Sequence, residues 1–114
     1  MATTYVRRFN LKDSMSDAEV AAYWEMLIGE LVPAVEKIKG INAVRLLSGA
    51  GALRADLRVV IEMDHAGVYE QLIADPNLPK LLGRFYGGID LSTSTQTFLR
   101  EVTPAMVNSL AGAK

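Results

Sequence analysis

The single histidine of this chain is the first candidate for chemistry. Histidine is the side chain that ordinarily changes charge near neutral pH, and His65 stands at the expected start of a helix. It could act as a general base at the mouth of a pocket, although a solvent-exposed residue with no chemical role is the simpler interpretation. One histidine and no cysteine argue against a metal site built by the protein, so we expect no metal.

Several aromatic and cationic side chains could bind a ligand. Trp24 lies on the apolar stripe of the first predicted helix, where its ring would either fill the core or form one wall of a pocket for an aromatic compound. Arg84 and Tyr86 stand at the end of the second predicted helix, and with Tyr69 they could bind a small aromatic or carboxylate ligand. Ordinary packing is the alternative for this group. Tyr23 is expected on the flank of the stripe, at the surface or in a dimer contact.

Polar side chains also occur in the middle of two predicted strands. Arg8 and Asn10 share one side of the first strand, and Arg58 and Glu62 share one side of the third. Because an unpaired buried charge is very costly, these groups must pair with one another, meet a partner subunit or line a wet cavity. Arg8, Arg58 and Glu62 are therefore candidates for substrate binding, and Asn10 joins His65 as a candidate catalytic residue.

The first half of the chain predicts a strand followed by a long helix. Residues 4–11 are rich in β-branched and aromatic side chains, and Ser16 and Glu19 match a capping box. Apolar residues then recur at helical spacing from Val20 to Ile38. Pro33 lacks the N–H that would bond to Gly29, so we expect an interruption between these positions, with Gly29 tolerated because it has no side chain at a crowded turn.

The second half predicts two more strands, a broken helix and a final strand. Residues 41–48 and 55–63 are extended and antiparallel, and they are joined by a glycine turn at 49–51. Residues 65–74 form a helix that Asp75 and Pro76 interrupt, and residues 78–86 form another short helical piece. Residues 93–102 form the fourth strand, which Pro104 ends.

This order predicts an α+β protein with the ferredoxin-like βαββαβ arrangement: a four-stranded antiparallel sheet with two helices on one face. We expect a single domain over residues 1–103 and a C-terminal tail over 104–114 that frays or lies on a partner. Both faces of the strands carry apolar groups while helices cover only one face. A second copy of the chain is the simplest cover for the other face, so we expect a homodimer.

Composition narrows the classes of partner. Half of the residues are hydrophobic, 22% are charged and the net charge is −1, so there is no overall positive field to attract a phosphate backbone and we expect no nucleic-acid partner. The third strand carries no aromatic residue to stack on RNA bases. No signal-peptide pattern opens the sequence and no apolar run reaches the ~20 residues of a membrane span. We therefore expect a soluble cytoplasmic protein without a membrane partner.

Residues 4–102, with this element order, two-faced strands and the helix break that runs from Tyr69 to Pro76, resemble the dimeric α+β barrel superfamily. It includes cofactor-free antibiotic-biosynthesis monooxygenases, haem-degrading monooxygenases, muconolactone isomerases, polyketide cyclases and stress-responsive proteins. The resemblance implies a pocket between the sheet and the helices of each subunit. Haem-degrading members use an asparagine, a tryptophan and a histidine together. This chain contains Asn10, Trp24 and His65, but the match to that set is poor. The family pattern places its tryptophan on a strand, whereas Trp24 lies on a predicted helix, so we do not assign haem degradation to this chain.

Two functional classes remain open. The first is a protein that binds a small apolar or aromatic compound, as a cofactor-independent monooxygenase, isomerase or cyclase, with no metal or organic cofactor. The second is a non-catalytic dimer with a structural or stress-associated role. A pocket between the first helix and the sheet would favour the first class, and a filled core the second.

Overall fold

A computed structural model describes residues 2–49 and 53–112. Within these ranges the strands are β1 (Thr3–Leu11), β2 (Ile41–Ser48), β3 (Leu57–Met63) and β4 (Ile89–Leu99). They form one antiparallel sheet in the order β2-β3-β1-β4. This confirms the predicted ferredoxin-like α+β fold, with the two polar-bearing strands β1 and β3 side by side at the centre.

The helices follow the predicted order with additional divisions. The first helical region consists of α1 (Asp17–Met26), a π-helical segment (Leu27–Leu31) and α2 (Val32–Glu36). The second consists of α3 (Val68–Ala74) and α4 (Pro79–Gly87), and α5 (Pro104–Ala111) follows the sheet. Ser16 and Glu19 form the predicted capping box at the start of α1.

Pro33 interrupts the first helix as predicted, and the interruption takes the form of a π turn. The amide of Val32 bonds to the carbonyl of Leu27, five residues back, and Pro33 then lies at the beginning of α2, where a missing N–H costs least. The expectation that a crowded turn requires glycine at position 29 is wrong, however. A Cβ at Gly29 would meet nothing within 4 Å, so no crowding requires glycine there.

The ring that α1 buries is that of Tyr23. Its side chain is only 7% exposed, and its hydroxyl donates a 2.6 Å hydrogen bond to the carbonyl of Phe85. Trp24 is half-buried and its indole N–H bonds to the carbonyl of Leu53 at 2.9 Å. The expectation that Tyr23 lies at the surface is therefore wrong. Tyr23 and Trp24 follow Val20 by three and four residues, and it is Tyr23 that faces α4.

The second half differs from the prediction mainly at element ends. His65 to Gly67 form a turn before α3, and the break at Asp75 and Pro76 separates α3 from α4 as expected. The strand β4 starts at Ile89 rather than 93 and ends at Leu99. Residues 104–111, expected as a tail, form α5, whose first turn Thr103 caps. In the predicted glycine turn, Ala50 and Gly51 lie outside the described residues.

The two faces of the sheet differ. One is a dry face, which is apolar and covered by helices, and the other is a mixed face, which carries apolar and charged side chains. On the dry face, the core packs the helices against alternate residues of the central strands: Tyr5, Phe9, Leu11, Leu57, Val59, Ile61 and Met63. On the face without helices, Val6 and Val60 lie beside Arg45 and Glu62. No helix among the described residues is long and apolar enough to cross a membrane.

Candidate functional site

A partly enclosed cavity of about 60 Å³ lies between the helices and the sheet. This is about the room that four water molecules need. The sheet contributes its floor, the π segment and α2 one wall, and α3 and α4 the other. The lining is almost entirely apolar or aromatic: Tyr5, Arg7, Leu31, Val32, Val35, Val44, Leu46, Val59, Ile61, Met63, Tyr69, Leu72, Ile73, Leu82, Phe85 and Tyr86.

Arg7 is the one charged residue among the described residues that line this cavity. Its guanidinium donates to the Tyr5 hydroxyl at 2.9 Å and to Ser94 Oγ at 2.7 Å. A further bond of 2.8 Å reaches Gln96 Oε1. The same guanidinium lies over the ring of Tyr86, with its carbon 5.2 Å from the ring centre, a geometry in which cation and π-face attract. Sequence reasoning did not select Arg7.

Aromatic rings surround this polar group. The rings of Tyr5 and Tyr69 meet edge to face with centres 5.0 Å apart, and Phe98 lies 5.2 Å from each of them. Burial raises the pKa of the Tyr5 hydroxyl well above its ordinary value, although the charge of Arg7 opposes the shift. The phenol therefore remains a protonated donor at neutral pH. The cavity thus combines apolar walls with a fixed cluster of N–H and O–H donors.

The predicted ligand-binding aromatic residues fall in two places. Tyr69 and Tyr86 line the cavity. Trp24 lies instead at an open apolar hollow of about 470 Å³ beside β2, together with Ile28 and Leu53. Arg84 is exposed and pairs with Glu30 at 3.1 Å, so its guanidinium is not part of the cavity wall.

The predicted polar residues of the central strands gather on the other face, around Asp56. Arg8 and Arg58 approach the Asp56 carboxylate at 3.0 and 3.1 Å, and Asn10 Oδ1 accepts from the Asp56 amide at 2.8 Å. Asp56 has φ +55°, a left-handed conformation that non-glycine residues rarely adopt. These contacts hold the strained residue in place. Glu62 is exposed on the same face, so none of these predicted site residues lines the cavity.

His65 is also away from the cavity. Its side chain is exposed in the turn before α3 and is absent from the cavity lining. The structure therefore does not bring His65 together with Asn10 or with the aromatic cluster. Within residues 2–49 and 53–112, no group of three or more histidine or acidic side chains could hold a metal ion.

Comparisons with solved structures confirm the fold. A mutant form of the cofactor-independent oxygenase SnoaB from Streptomyces nogalater has a TM-score of 0.70 at 13% identity over 90% of this chain and 97% of its own. A dimeric ferredoxin-like protein of unknown function from Bacteroides fragilis has a TM-score of 0.71 at 13% identity, covering 88% and 96%. An antibiotic biosynthesis monooxygenase has a TM-score of 0.69 at 12% identity, covering 90% and 100%.

The likeness concerns the fold alone, which is the ferredoxin-like α+β arrangement. No protein-family model matches the chain, and no curated protein matches it. At 13% identity, shared architecture is compatible with different chemistry. The function must therefore be argued from the cavity itself.

Proposed function

We propose that this chain binds a small apolar or aromatic compound in the cavity between the helices and the sheet. The observation that carries the proposal is the cavity's lining, in which apolar walls meet one arginine and three tyrosines. Concave, mostly apolar sites with a few fixed polar groups are typical of small-molecule binding. The enclosed space is small for such a site, so a one-ring compound would fill it and extend through its open side. A non-catalytic dimer with a structural or stress-associated role is the alternative, and a core without such a cavity would have favoured it.

Oxygenation without a metal or organic cofactor is the first reaction to test. Its support is the similarity of fold to a cofactor-independent oxygenase and an antibiotic biosynthesis monooxygenase. Within the cavity, Arg7 and the Tyr5 hydroxyl could stabilise negative charge on a bound phenol or enol. Isomerase and cyclase chemistry would use the same stabilisation. Oxygen consumption with bound phenolic compounds would distinguish oxygenation from both.

Ligand binding is tested by protein NMR with a panel of one-ring aromatic compounds. We expect shifts at the amides of cavity residues such as Tyr69 and Ile73. The variant Val44→Phe should reduce binding at least about tenfold, because the larger ring would occupy the cavity. Val102→Phe is the control, since Val102 is 72% exposed and is not among the residues that line this cavity. Binding that Val44→Phe leaves unchanged would contradict the proposed site.

We also propose a homodimer through the helix-free sheet face. Leu47 and Leu99 are 42% and 49% exposed on that face, and the similar protein from Bacteroides fragilis is described as dimeric. In α5, Val107 and Leu110 are exposed as well, so this helix is available to lie on the partner. The absence of a nucleic-acid partner and a cytoplasmic location stay predictions.

Light scattering tests the dimer directly. The wild-type chain should give twice its mass of 12.4 kDa at micromolar concentration. The double substitution Leu47→Glu and Leu99→Glu should yield monomers, because it places like charges on a face that would be buried. Val107→Glu separates the contribution of α5 from that of the sheet. A monomeric wild type would rule out the dimer.

A further inference from the structure

Arg7 has more hydrogen-bond donors than its surroundings can use. A guanidinium carries five N–H donors, and three bonds leave Arg7, to Tyr5, Ser94 and Gln96. These three are the hydrogen bonds of good geometry that Arg7 makes to described residues, and the Tyr69 hydroxyl is close enough to interact with the guanidinium as well. All three of its partners are neutral oxygens. Among the described residues, the positive charge therefore contacts only neutral groups, namely these oxygens and the Tyr86 ring, at the edge of an apolar cavity.

A second feature is the contrast between Arg7 and other arginines of the chain. Arg8 and Arg58 have Asp56, Arg54 has Asp17 and Arg84 has Glu30 as carboxylate partners. Arg7 has no carboxylate oxygen within 4.0 Å among residues 2–49 and 53–112. Yet Arg7 is half-buried against apolar walls, where an unpaired charge is more costly than it is in water.

The neighbouring donors compete for the same acceptor. Gln96 Oε1 accepts from Arg7 at 2.8 Å, from the Tyr5 hydroxyl at 3.3 Å and more weakly from the Tyr69 hydroxyl at 3.5 Å. An amide oxygen has two lone pairs, so three donors exceed its capacity. An additional acceptor oxygen at this point would satisfy the surplus, and a negatively charged oxygen would also pair with the guanidinium.

We propose that this cluster is an anion subsite and that the ligand of the cavity is an aromatic carboxylic acid. Its carboxylate meets the free N–H groups of Arg7 and the hydroxyl of Tyr69, and its ring lies against the ring of Tyr86 and the apolar wall. The inference rests on the proposed ligand site in the cavity. It adds the chemical class of the ligand, which the apolar lining alone does not specify.

The test compares benzoate with benzamide, which has nearly the same shape but no charge. Wild-type protein should bind benzoate at least about tenfold more tightly than benzamide in NMR titrations at pH 7. Arg7→Gln should remove that preference, and Arg7→Lys should retain part of it. Arg45→Gln is the matched control: Arg45 is an exposed arginine of the same sheet, flanked by two cavity residues but on the opposite face.

Each outcome decides between the two proposals. Equal affinity of the wild type for both compounds overturns the anion subsite and leaves the proposed ligand site standing. Binding of neither compound counts against the ligand site itself. If Arg7→Gln and Arg45→Gln reduce the preference for benzoate equally, the preference reflects the net charge of the protein. That result also overturns the subsite. The wild-type comparison remains decisive if Arg7→Gln does not fold, and thermal unfolding by circular dichroism reports whether it does.

Discussion

Replacing Tyr23 should destabilise the fold more than replacing its neighbour Trp24. The ring of Tyr23 lies in the core, 6.5 Å from that of Phe85 and nearly parallel to it. Its hydroxyl reaches the Phe85 carbonyl at 2.6 Å and so joins α1 to the end of α4. Trp24 makes one hydrogen bond, to Leu53, from a half-exposed position. The two adjacent aromatic residues therefore provide an internally matched pair.

The expected magnitudes follow from these contacts. Tyr23→Phe deletes one buried hydrogen bond, which is worth about 1 kcal/mol, or about 4 °C in Tm for a chain of this size. The Phe85 carbonyl still accepts from the amide of Gly88 at 3.3 Å, so it retains a donor. Tyr23→Ala leaves a void in the core and should cost about 3–5 kcal/mol. Trp24→Ala should cost about 2 kcal/mol, because much of the indole is already in water.

The pH dependence gives a second readout of Tyr23. Burial raises the pKa of the Tyr23 hydroxyl, so the folded chain keeps this proton to higher pH than the unfolded chain. That contribution to stability is complete below about pH 10, the ordinary tyrosine pKa, and is lost above it at about 1.4 kcal/mol per pH unit. The stability difference between wild type and Tyr23→Phe should therefore be constant below about pH 9 and shrink above pH 10.

Urea unfolding followed by far-ultraviolet circular dichroism measures all of these quantities. A shift in midpoint at unchanged slope would assign the effect to stability rather than to the compactness of the unfolded chain. If Trp24→Ala costs more than Tyr23→Ala, Trp24 is the buried ring and the orientation of α1 described above is wrong. A stability difference for Tyr23→Phe that is constant through pH 11 would refute the burial of the hydroxyl.

Two glycines and one asparagine provide further predictions, all measurable by the same unfolding assay. Gly29→Ala should stabilise the chain by up to about 1 kcal/mol, since a Cβ there meets open space; a loss would show that the π turn needs glycine. Gly88→Ala should cost about 1–3 kcal/mol, because its Cβ would overlap the ring of Tyr23. Asn10→Ala should cost about 1 kcal/mol by removing the acceptor for the Asp56 amide. Ligand binding that Asn10→Ala abolishes at unchanged stability would instead indicate a direct role for Asn10.

The order of elements could be predicted because its signals are local. The capping box at Ser16, the prolines at 33 and 76 and the alternation along β3 each act within a few residues. Whether Tyr23 or Trp24 is buried could not be predicted in this way. Positions three and four residues after Val20 both lie on the helix face that Val20 occupies. A contact 62 residues away, at Phe85, and the absence of a Cβ at Gly88 decide between them.

The candidate site was predicted only in part. Tyr69 and Tyr86 were selected as ligand-binding residues and do line the cavity. Arg7 was missed although strand parity offered a signal, since it shares the parity of Tyr5 and Phe9, on the face that packs against the helices. Arg8 was predicted as a binding residue because it is a charge in the middle of a strand. In the structure it pairs with Asp56, a residue of a distant loop whose backbone is left-handed. Aspartate adopts this conformation more often than most residues, but it is also common elsewhere, so the residue type alone does not predict it.

The cavity itself follows from the places where helical regularity fails. Pro33 forces the π turn, and both Leu31, its last residue, and Val32, which follows it, form part of the cavity wall. Pro76 divides the second helix, so that Tyr69 comes from α3 and Tyr86 from α4. Four short helical pieces cannot lie on a twisted sheet as closely as two continuous helices would, and a space remains where they meet. The interruptions of both helices therefore lie around Arg7, a half-buried arginine without a carboxylate partner, and departures from regular packing of this kind are expected at a functional site.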